Sequence, residues 1–372
     1  MTSRNLTIAA LAAAIAMCVY LFGGGEKTVT VLPLPASASG KNPAQKNSSG
    51  MAAKKTALDW KHFTALINMD ASSGPLSPEV TEGDIVRFLA KHGETAINLV
   101  AAFEKTADRR WLDRALELFP SNPAVLMLAV QTSPVLAGTR NGEPYQIDPA
   151  RTAIIERFKA ADPNNPLPWI FSAQEFFKAK QTAEGTAEIR AALDRPAFYT
   201  YSNERMDSAQ RLNEDMGLHP LEASLFAMAG LTMPQMEAAQ QASRSLMEWQ
   251  KSAADSGDTA AADDALRLTY CLGRTFATPE VSRTLLGQLV GVSMESRALK
   301  ALPADAQPDW LTVTPAQRLA EMEVQKQSVK DLTADFDWII QSRNEPLLSE
   351  YLRRNRSGGE LSALTWLKAQ KK

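Results

Sequence analysis

Residues that could bind a metal or transfer protons are few in this chain and lie far apart. The three histidines are His62, His92 and His219, and none has a histidine, cysteine or acidic residue at the spacing of a metal-ligand set. Metal sites need such ligands grouped closely. We therefore expect surface or packed histidines and no metal site, with His219 beginning a turn into a helix at Pro220.

Sequence signals for a nucleophile are also missing. Cys18 and Cys271 lie too far apart to predict a disulfide, and the surroundings of Cys271 favour a packed thiol. The nearest approach to Gly-x-Ser-x-Gly is "GVSME" at 291–295, inside a helical pattern. No glycine-rich loop suits a phosphate. We predict no catalytic residue and no cofactor, although scattered residues could still form a site that no motif reveals.

Two charged clusters have ordinary structural interpretations. Four aspartates surround the loop of "ADSGDTAAADDA" without the spacing of a calcium loop, and Asp258 or Thr259 suits the start of a helix. "YLRRNRSGG" places Arg353, Arg354 and Arg356 near a helix end, where positive charge is favourable. The arginines predict a solvated helix end or, alternatively, a contact to an acidic partner or to lipid headgroups.

Composition excludes some classes of protein. The chain has 372 residues, 45% of them hydrophobic and 22% charged, which indicates a globular protein. Forty basic and 42 acidic residues give a formal charge of −2. Because no basic bias exists, we do not expect nucleic acid as a partner.

The N-terminus resembles a membrane segment. Residues 6–22 carry no charge and would extend about 26 Å as a helix, at the lower limit for crossing a bilayer. We predict an uncleaved anchor over 1–22, with a cleaved signal peptide and a tail buried in the fold as alternatives. Arg4 favours a cytoplasmic N-terminus and an extracytoplasmic body, which would be periplasmic in a Gram-negative bacterium. Cleavage would instead give a secreted protein.

The rest of the chain divides into a tether and a helical body. Residues 23–56 are rich in Gly, Ser, Pro and Ala, which predicts a flexible tether. From residue 57 apolar residues recur every three or four positions, as Ile85, Phe88 and Leu89 do before Gly93. We predict an all-α fold. Thr278-Pro279 and Thr314-Pro315 are expected to begin helices.

A proline-containing segment occurs twice in the body. "ALELFPSNPAVLMLAV" and "FKAADPNNPLPWIFSA" align at a spacing of 43 residues, which superposes Pro120 on Pro163 and Asn122 on Asn165. In each copy a helix should end before the first proline, and the asparagine should cap the next helix. The duplication predicts joints between stacked antiparallel helices.

These joints resemble the tetratricopeptide repeat, over about residues 90–197. Trp169, Ala173 and Ala192 fall at the large and small positions of the family, whereas Gly185 and Phe158 stand where the family usually has alanine. The resemblance implies antiparallel helical hairpins stacked as an α-solenoid over 57–200, extended by further helices over 201–372. An ordinary helical bundle with a coincidental duplication is the alternative.

In such arrays the first helix of each hairpin lines a concave surface that binds peptides. The resemblance therefore implies a partner-binding face at Ile170, Gln174, Phe177 and Lys178. Packing in the core is the alternative interpretation of Phe177. Together these expectations favour a membrane-tethered helical-repeat scaffold that binds other proteins or peptides outside the cytoplasm. The alternative is an enzyme or small-ligand-binding protein with a site in a helical cavity.

Overall fold

The computed structural model describes residues 58, 60, 80–132, 145–195, 198–231, 233–279 and 281–371. These residues form α-helices joined by turns, with no strand among them, so the all-α prediction is confirmed for this part of the chain. The helices follow one another as α1 (Glu82–His92), α2 (Ala96–Thr106), α3 (Arg109–Leu118), α4 (Pro123–Thr132), α5 (Pro149–Ala161), α6 (Leu167–Lys178), α7 (Thr182–Leu193), α8 (Ser202–Asp215), α9 (Pro220–Ala229), α10 (Pro234–Asp255), α11 (Thr259–Ala277), α12 (Leu285–Lys300), α13 (Pro315–Ser342), α14 (Glu345–Gly358) and α15 (Glu360–Gln370).

Side-chain caps determine where several helices begin. Thr314 precedes α13 and forms a capping box with Gln317, as its threonine-proline pair predicts. Asp258 caps α11 by accepting a hydrogen bond from the backbone N–H of Ala261 at 3.0 Å. His219 caps α9, its Nδ1 lying 3.3 Å from the N–H of Leu221. These three starts agree with the sequence analysis.

The expected helix start at Thr278-Pro279 is wrong. Thr278 instead follows the last residue of α11, and its carbonyl accepts from the N–H of Ser282 at 2.8 Å, which closes a turn. The next helix, α12, begins after Thr284, whose hydroxyl accepts from the N–H of Gly287 at 3.1 Å. Thr284, and not Thr278, therefore caps the next helix.

Both proline-containing joints end one helix and begin another. Asn122 Oδ1 accepts from the N–H groups of Ala124 and Val125 at 3.1 and 3.2 Å, and α4 begins at Pro123 as predicted. Asn165 Oδ1 accepts from Leu167 N at 3.1 Å, although α6 begins one residue later than expected. The asparagine cap is therefore shared by the two copies.

An arginine from a later helix contacts each joint. Arg157, on α5, donates to the carbonyl of Pro120, and Arg195, just after α7, donates from Nε to the carbonyl of Pro163 at 3.0 Å. The carbonyl of each proline lies past the end of the preceding helix, so it has no intrahelical N–H partner and can accept from the arginine. The two copies are thus alike in a tertiary contact as well as in sequence.

Later helices fold back onto the earlier ones. Helix α2 packs against α3 and α4, α6 packs against α5 and α7, and the pairs α10–α11 and α11–α12 make the most extensive contacts. In addition, α8 lies on α2, and α10 lies on α6. One hydrophobic cluster extends from Ala124 to Met294. This cluster contains side chains from both sides of residue 200, where the sequence predicts a boundary between two helical regions.

The predictions for the N-terminal 56 residues lie outside the described residues. This applies to the anchor or signal segment at 1–22 and to the tether at 23–56. Among the residues that the structure does describe, no helix combines the length and apolar character needed to cross a membrane.

Candidate functional site

The face predicted to bind partners is largely covered. Ile170 is 1% exposed and Gln174 is 8% exposed, and Gln174 donates from Nε2 to the side-chain oxygen of Gln241 on α10. The expected exposure of these two residues is wrong, because α10 packs on the side of α6 that a solenoid would leave open. They do not form an open groove in this structure.

Phe177 is partly buried and packs against the core, as the alternative interpretation predicts. Its ring lies against Gly185 of α7, where a Cβ atom would come 2.7 Å from the Phe177 ring carbons. Ordinary carbon contacts are near 3.5–4 Å. The glycine that departs from the repeat pattern therefore makes room for this phenylalanine.

Lys178 belongs to a charged network inside the helical stack. Its Nζ lies 3.2 Å from Oε1 of Glu175 and 5.7 Å from the centre of the Tyr145 ring. Glu175 also lies 3.1 Å from Nε of buried Arg151 and accepts from the Tyr145 hydroxyl. Burial and the Glu175 carboxylate raise the pKa of Tyr145. Because a buried charge needs partners, this network is consistent with packing of α5 against α6.

The other residues that could bind a metal or act as a nucleophile are packed or paired within the protein. Nε2 of His92 lies 2.8 Å from Asp215 and that of His219 lies 3.3 Å from Glu345, and no cluster of metal ligands occurs among the described residues. His62 lies outside them. Cys271 is half-buried, and burial raises the pKa of its thiol, which disfavours the reactive thiolate.

The arginines of "YLRRNRSGG" form ion pairs and hydrogen bonds within the protein. Arg353 and Arg354 both bond to Glu350, at 2.6 and 2.7 Å. Arg356 reaches other helices, with 2.9 Å to Asp207 and 2.8 Å to the hydroxyl of Ser224. The last of these arginines therefore holds α14 against α8 and α9.

An open cleft of about 660 Å³ lies between the start of α12 and one side of α15. Arg283 and Gln288 line it from the first side, and Leu361, Ser362 and Trp366 line it from the second. Its volume falls within the range of ligand sites in proteins. None of the described residues that line it is acidic.

Gly359 shapes one end of this cleft. Its φ of 82° lies in the region that favours glycine, and a Cβ here would come 2.9 Å from the carbonyl oxygen of Arg283. As the residue before α15, it offers no side chain to cap the helix. Within the described part of the chain, the N–H groups of Leu361 and Ser362 have no acceptor. The positive end of a helix therefore lines the cleft.

Gln288 is the polar residue that lines the cleft from inside the protein. It is 2% exposed, and its Nε2 donates to the carbonyl of Ser282 at 2.9 Å. Its Oε1 is buried and has no hydrogen-bond partner among the described residues. Buried side-chain oxygens are nearly always paired, because leaving one unpaired costs about 1–3 kcal/mol. The oxygen itself is closed off from solvent, so a molecule in the cleft does not reach it in this structure.

Two charged residues flank the cleft. Arg283 is exposed and makes no ion pair with the described residues, although its Nη1 lies 3.5 Å from the carbonyl of Arg356. Glu360 is the first residue of α15, and its carboxylate accepts from the N–H of Leu285 at 2.8 Å. Burial raises the pKa of Glu360 and so disfavours its charged form. The side chains that line the cleft are neutral or positive, and the Glu360 carboxylate lies at the start of the same helix.

No sequence pattern predicts this cleft. Its two sides come from segments about 75 residues apart, as the hydrogen bond between Leu285 and Glu360 shows. The one local signal is Gly358-Gly359 before α15, where a helix begins without the usual Ser, Thr, Asp or Asn.

No protein-family model matches the chain, and no curated protein or solved structure is significantly similar to it.

Proposed function

We propose that this chain is a helical-repeat scaffold that binds other proteins through the cleft between α12 and α15. The observation that carries the proposal is the cleft itself, which is open and is lined by the exposed Arg283 and by the side chains of Leu361 and Trp366. An interface of this kind offers polar groups that a partner can pair while apolar side chains such as Trp366 are covered.

The repeat architecture is part of the same proposal. We infer a tetratricopeptide-like arrangement for the helices around the two joints. The shared asparagine caps and the shared arginine contacts support it. In this proposal α8 and α10 pack on the side that an open solenoid would leave free, and partners bind near α15.

The membrane location is proposed from the sequence. The uncharged run at 6–22 would anchor the chain, and the segment that follows would hold the body outside the cytoplasm. Protease treatment of intact and permeabilised cells, followed by blotting for the C-terminus, tests this orientation. Protection of the body in cells with an opened outer envelope would contradict it.

Binding is tested by capturing partners with the full chain in mild detergent. Arg283→Glu reverses a charge in the cleft, and Arg353→Glu makes the same change at an exposed site outside it. We expect Arg283→Glu to lose specific proteins that the wild type and Arg353→Glu retain. If all three chains are folded by circular dichroism and recover the same proteins, the cleft does not bind the partners.

A small-ligand-binding protein is the second candidate. It is favoured by the volume of the cleft, about 660 Å³, which lies within the range of small-ligand sites in proteins. Thermal-shift screening of the full chain against amino acids, organic acids and sugars tests it. A stabilising compound whose effect is lost in Gln288→Leu would favour this candidate.

A further inference from the structure

We propose that the ends of α13 and α15, with the start of α14, form a patch that rests on an anionic phospholipid surface. This helix-end patch consists of Trp338, Arg343, Leu347, Lys368 and Lys371. The inference rests on the membrane location in the proposed function, and it names the face of the body that meets the bilayer.

Three helix ends meet at the helix-end patch. Helices α14 and α15 form a hairpin joined at Gly359, and the guanidinium carbon of Arg354 lies 4.7 Å from the centroid of the Trp366 ring across it. The end of α15 therefore lies beside the start of α14. The end of α13 joins them, because Nζ of Lys371 lies 5.9 Å from the centroid of the Trp338 ring.

The chain around the patch is basic, although the protein as a whole is not. Residues 343–372 contain seven basic and three acidic side chains, whereas the whole chain contains 40 basic and 42 acidic ones. Arg343, Lys368 and Lys371 are exposed. Each basic side chain near an anionic surface raises the binding constant about fivefold, so three of them suffice for a measurable attraction.

The acidic side chains of this stretch are paired or lie elsewhere. Glu350 lies 2.6 Å from Nη2 of Arg353 and 2.7 Å from Nε of Arg354. Glu345 lies 3.3 Å from Nε2 of His219. The third acidic residue begins α15, at the end of the hairpin away from the patch. Positive charge therefore predominates at the patch.

Apolar side chains among these charges distinguish the patch from an ordinary solvated helix end. Positive residues suit the C-terminal end of α15 even in water. Trp338 and Leu347, however, are only partly buried against the core. Tryptophan beside lysine or arginine is typical of membrane interfaces, where the ring lies at the depth of the headgroups and the long basic side chains reach the phosphates.

The chain enters the body at the hydrophobic cluster beneath these helices. Leu58 is 8% exposed and lies in the cluster that contains Ile340 and Leu367. Trp60 packs against the same cluster. Residues 23–57 would connect this point to the predicted anchor, and a flexible chain of 35 residues spans about 30–35 Å on average. Such a tether keeps the patch close to the bilayer, so a weak affinity for lipid suffices.

The experiment measures contact between the patch and lipid. The full chain is purified in mild detergent and reconstituted into vesicles whose phospholipids carry bromine on the acyl chains near the headgroup, because bromine quenches tryptophan emission at short range. One set is phosphatidylcholine alone and the other contains one third phosphatidylglycerol, with the same lipids in both leaflets. We expect stronger quenching in the anionic vesicles and loss of the difference in high salt, which screens the attraction.

Charge variants show whether the lysines of the patch cause the difference. Lys368→Glu combined with Lys371→Glu should reduce the quenching in anionic vesicles to the level in neutral ones. Lys251→Glu combined with Lys300→Glu makes the same change at two exposed lysines of α10 and α12. This control should keep the difference.

Tryptophan variants identify the quenched ring. Trp338→Phe should lose at least half of the extra quenching. Trp310→Phe, whose ring contacts Tyr270 on α11, should retain it. Circular dichroism checks the fold of each variant, and the exposed lysine pair keeps the test decisive if Trp338→Phe unfolds.

Vesicle flotation separates this inference from the proposed function. Flotation with both vesicle types and no extra quenching in the anionic ones would overturn the inference and leave the anchor standing. Flotation with anionic vesicles alone, lost in the patch lysine variant, would support the patch and contradict the anchor. Absence of flotation with either type would overturn both. If the wild type shows no extra quenching but the lysine variant loses captured proteins, the patch binds an acidic protein and not lipid.

Discussion

The guanidinium carbon of Arg195 lies 3.4 Å from the centroid of the Trp169 ring, so the cation stacks on the indole face. The same side chain donates from Nε to the carbonyl of Pro163 at 3.0 Å. Lys159 also approaches the ring, at 5.7 Å, and Trp169 is only 9% exposed. One arginine therefore joins the end of α7 to both the joint and the large aromatic residue of α6.

Replacing Arg195 should weaken this joint. We expect Arg195→Ala to lower the free energy of unfolding by about 1–2 kcal/mol, through loss of the stacking and of the hydrogen bond to Pro163. Arg195→Lys should recover less than half of the lost free energy of unfolding. An ammonium group is not planar, so it cannot stack on the indole while it donates to the carbonyl of Pro163. Urea unfolding followed by circular dichroism measures both, and Arg353→Ala, in an exposed ion pair, serves as a control near zero. A fully stable Arg195→Lys variant would contradict the planar-stacking account.

The two capping asparagines should differ in their importance. Asn122 caps only its own helix, so Asn122→Ala should cost about 1 kcal/mol. Asn165 is 1% exposed and also donates to Asp162 at 2.9 Å and to the carbonyl of Tyr199 at 2.8 Å. Asn165→Ala removes both bonds and leaves the carbonyl of Tyr199 without this donor, although Tyr201 still donates to Asp162, and we expect a loss of about 2–4 kcal/mol. Chemical denaturation of the two variants tests this difference. Equal losses would show that the tertiary hydrogen bonds of Asn165 add nothing to its role as a helix cap.

Gly291 should not tolerate any side chain. A Cβ at this position of α12 would come 2.1 Å from the backbone nitrogen of Ala277 on α11. Since backbone cannot move aside without separating the helices, we expect Gly291→Ala to cost about 3 kcal/mol or more. Gly83→Ala is the matched control, because its Cβ would meet nothing closer than 3.6 Å on α1 and alanine favours a helix by about 0.5–1 kcal/mol. A thermal shift of the same sign in both variants would contradict the close-packing argument.

Glu295 should make stability depend on pH. Its side chain is fully buried and lies 2.9 Å from Nη2 of Arg318. Burial raises the pKa of Glu295 above 4.5, and the arginine offsets only part of this rise. Between the unfolded and the folded pKa the folded chain holds the extra proton, so stability is greatest below the window and falls as pH rises through it.

The charge-neutral variant Glu295→Gln isolates this contribution. As pH rises from about 4.5, the wild type should lose free energy of unfolding relative to Glu295→Gln, by about 1.4 kcal/mol for each unit of the pKa shift. Denaturant unfolding of both chains across this range supplies the difference curve. A curve of opposite slope would mean that the attraction of Arg318 outweighs burial.

Local features of the fold are predictable because their partners are close in sequence. The cap at Thr314 and the asparagine at Asn122 bond to backbone groups two or three residues away, so residue type and position suffice. The threonine at position 278 shows the limit of this reasoning, since a later threonine at 284 takes the role. A cap motif shows where a helix can begin, and packing decides where it does.

The covered face and the cleft are not predictable in this way. Gln174 is buried by a contact to Gln241, 67 residues later, and nothing within α6 reports that neighbour. The cleft likewise exists only once α15 packs beside the segment around Arg283 and the start of α12. Helical periodicity identifies which side of a helix is apolar, but it does not identify what covers that side.

The return of α8 onto α2 and of α10 onto α6 has a consequence for how the chain unfolds. In an open solenoid each unit contacts only its neighbours, so terminal units can melt while the rest persists. Here a single cluster contains side chains from Ala124 to Met294. Loss of α10 to α12 would expose the apolar surface of α4 to α7, so we expect the segment from α4 to α12 to unfold as one cooperative unit.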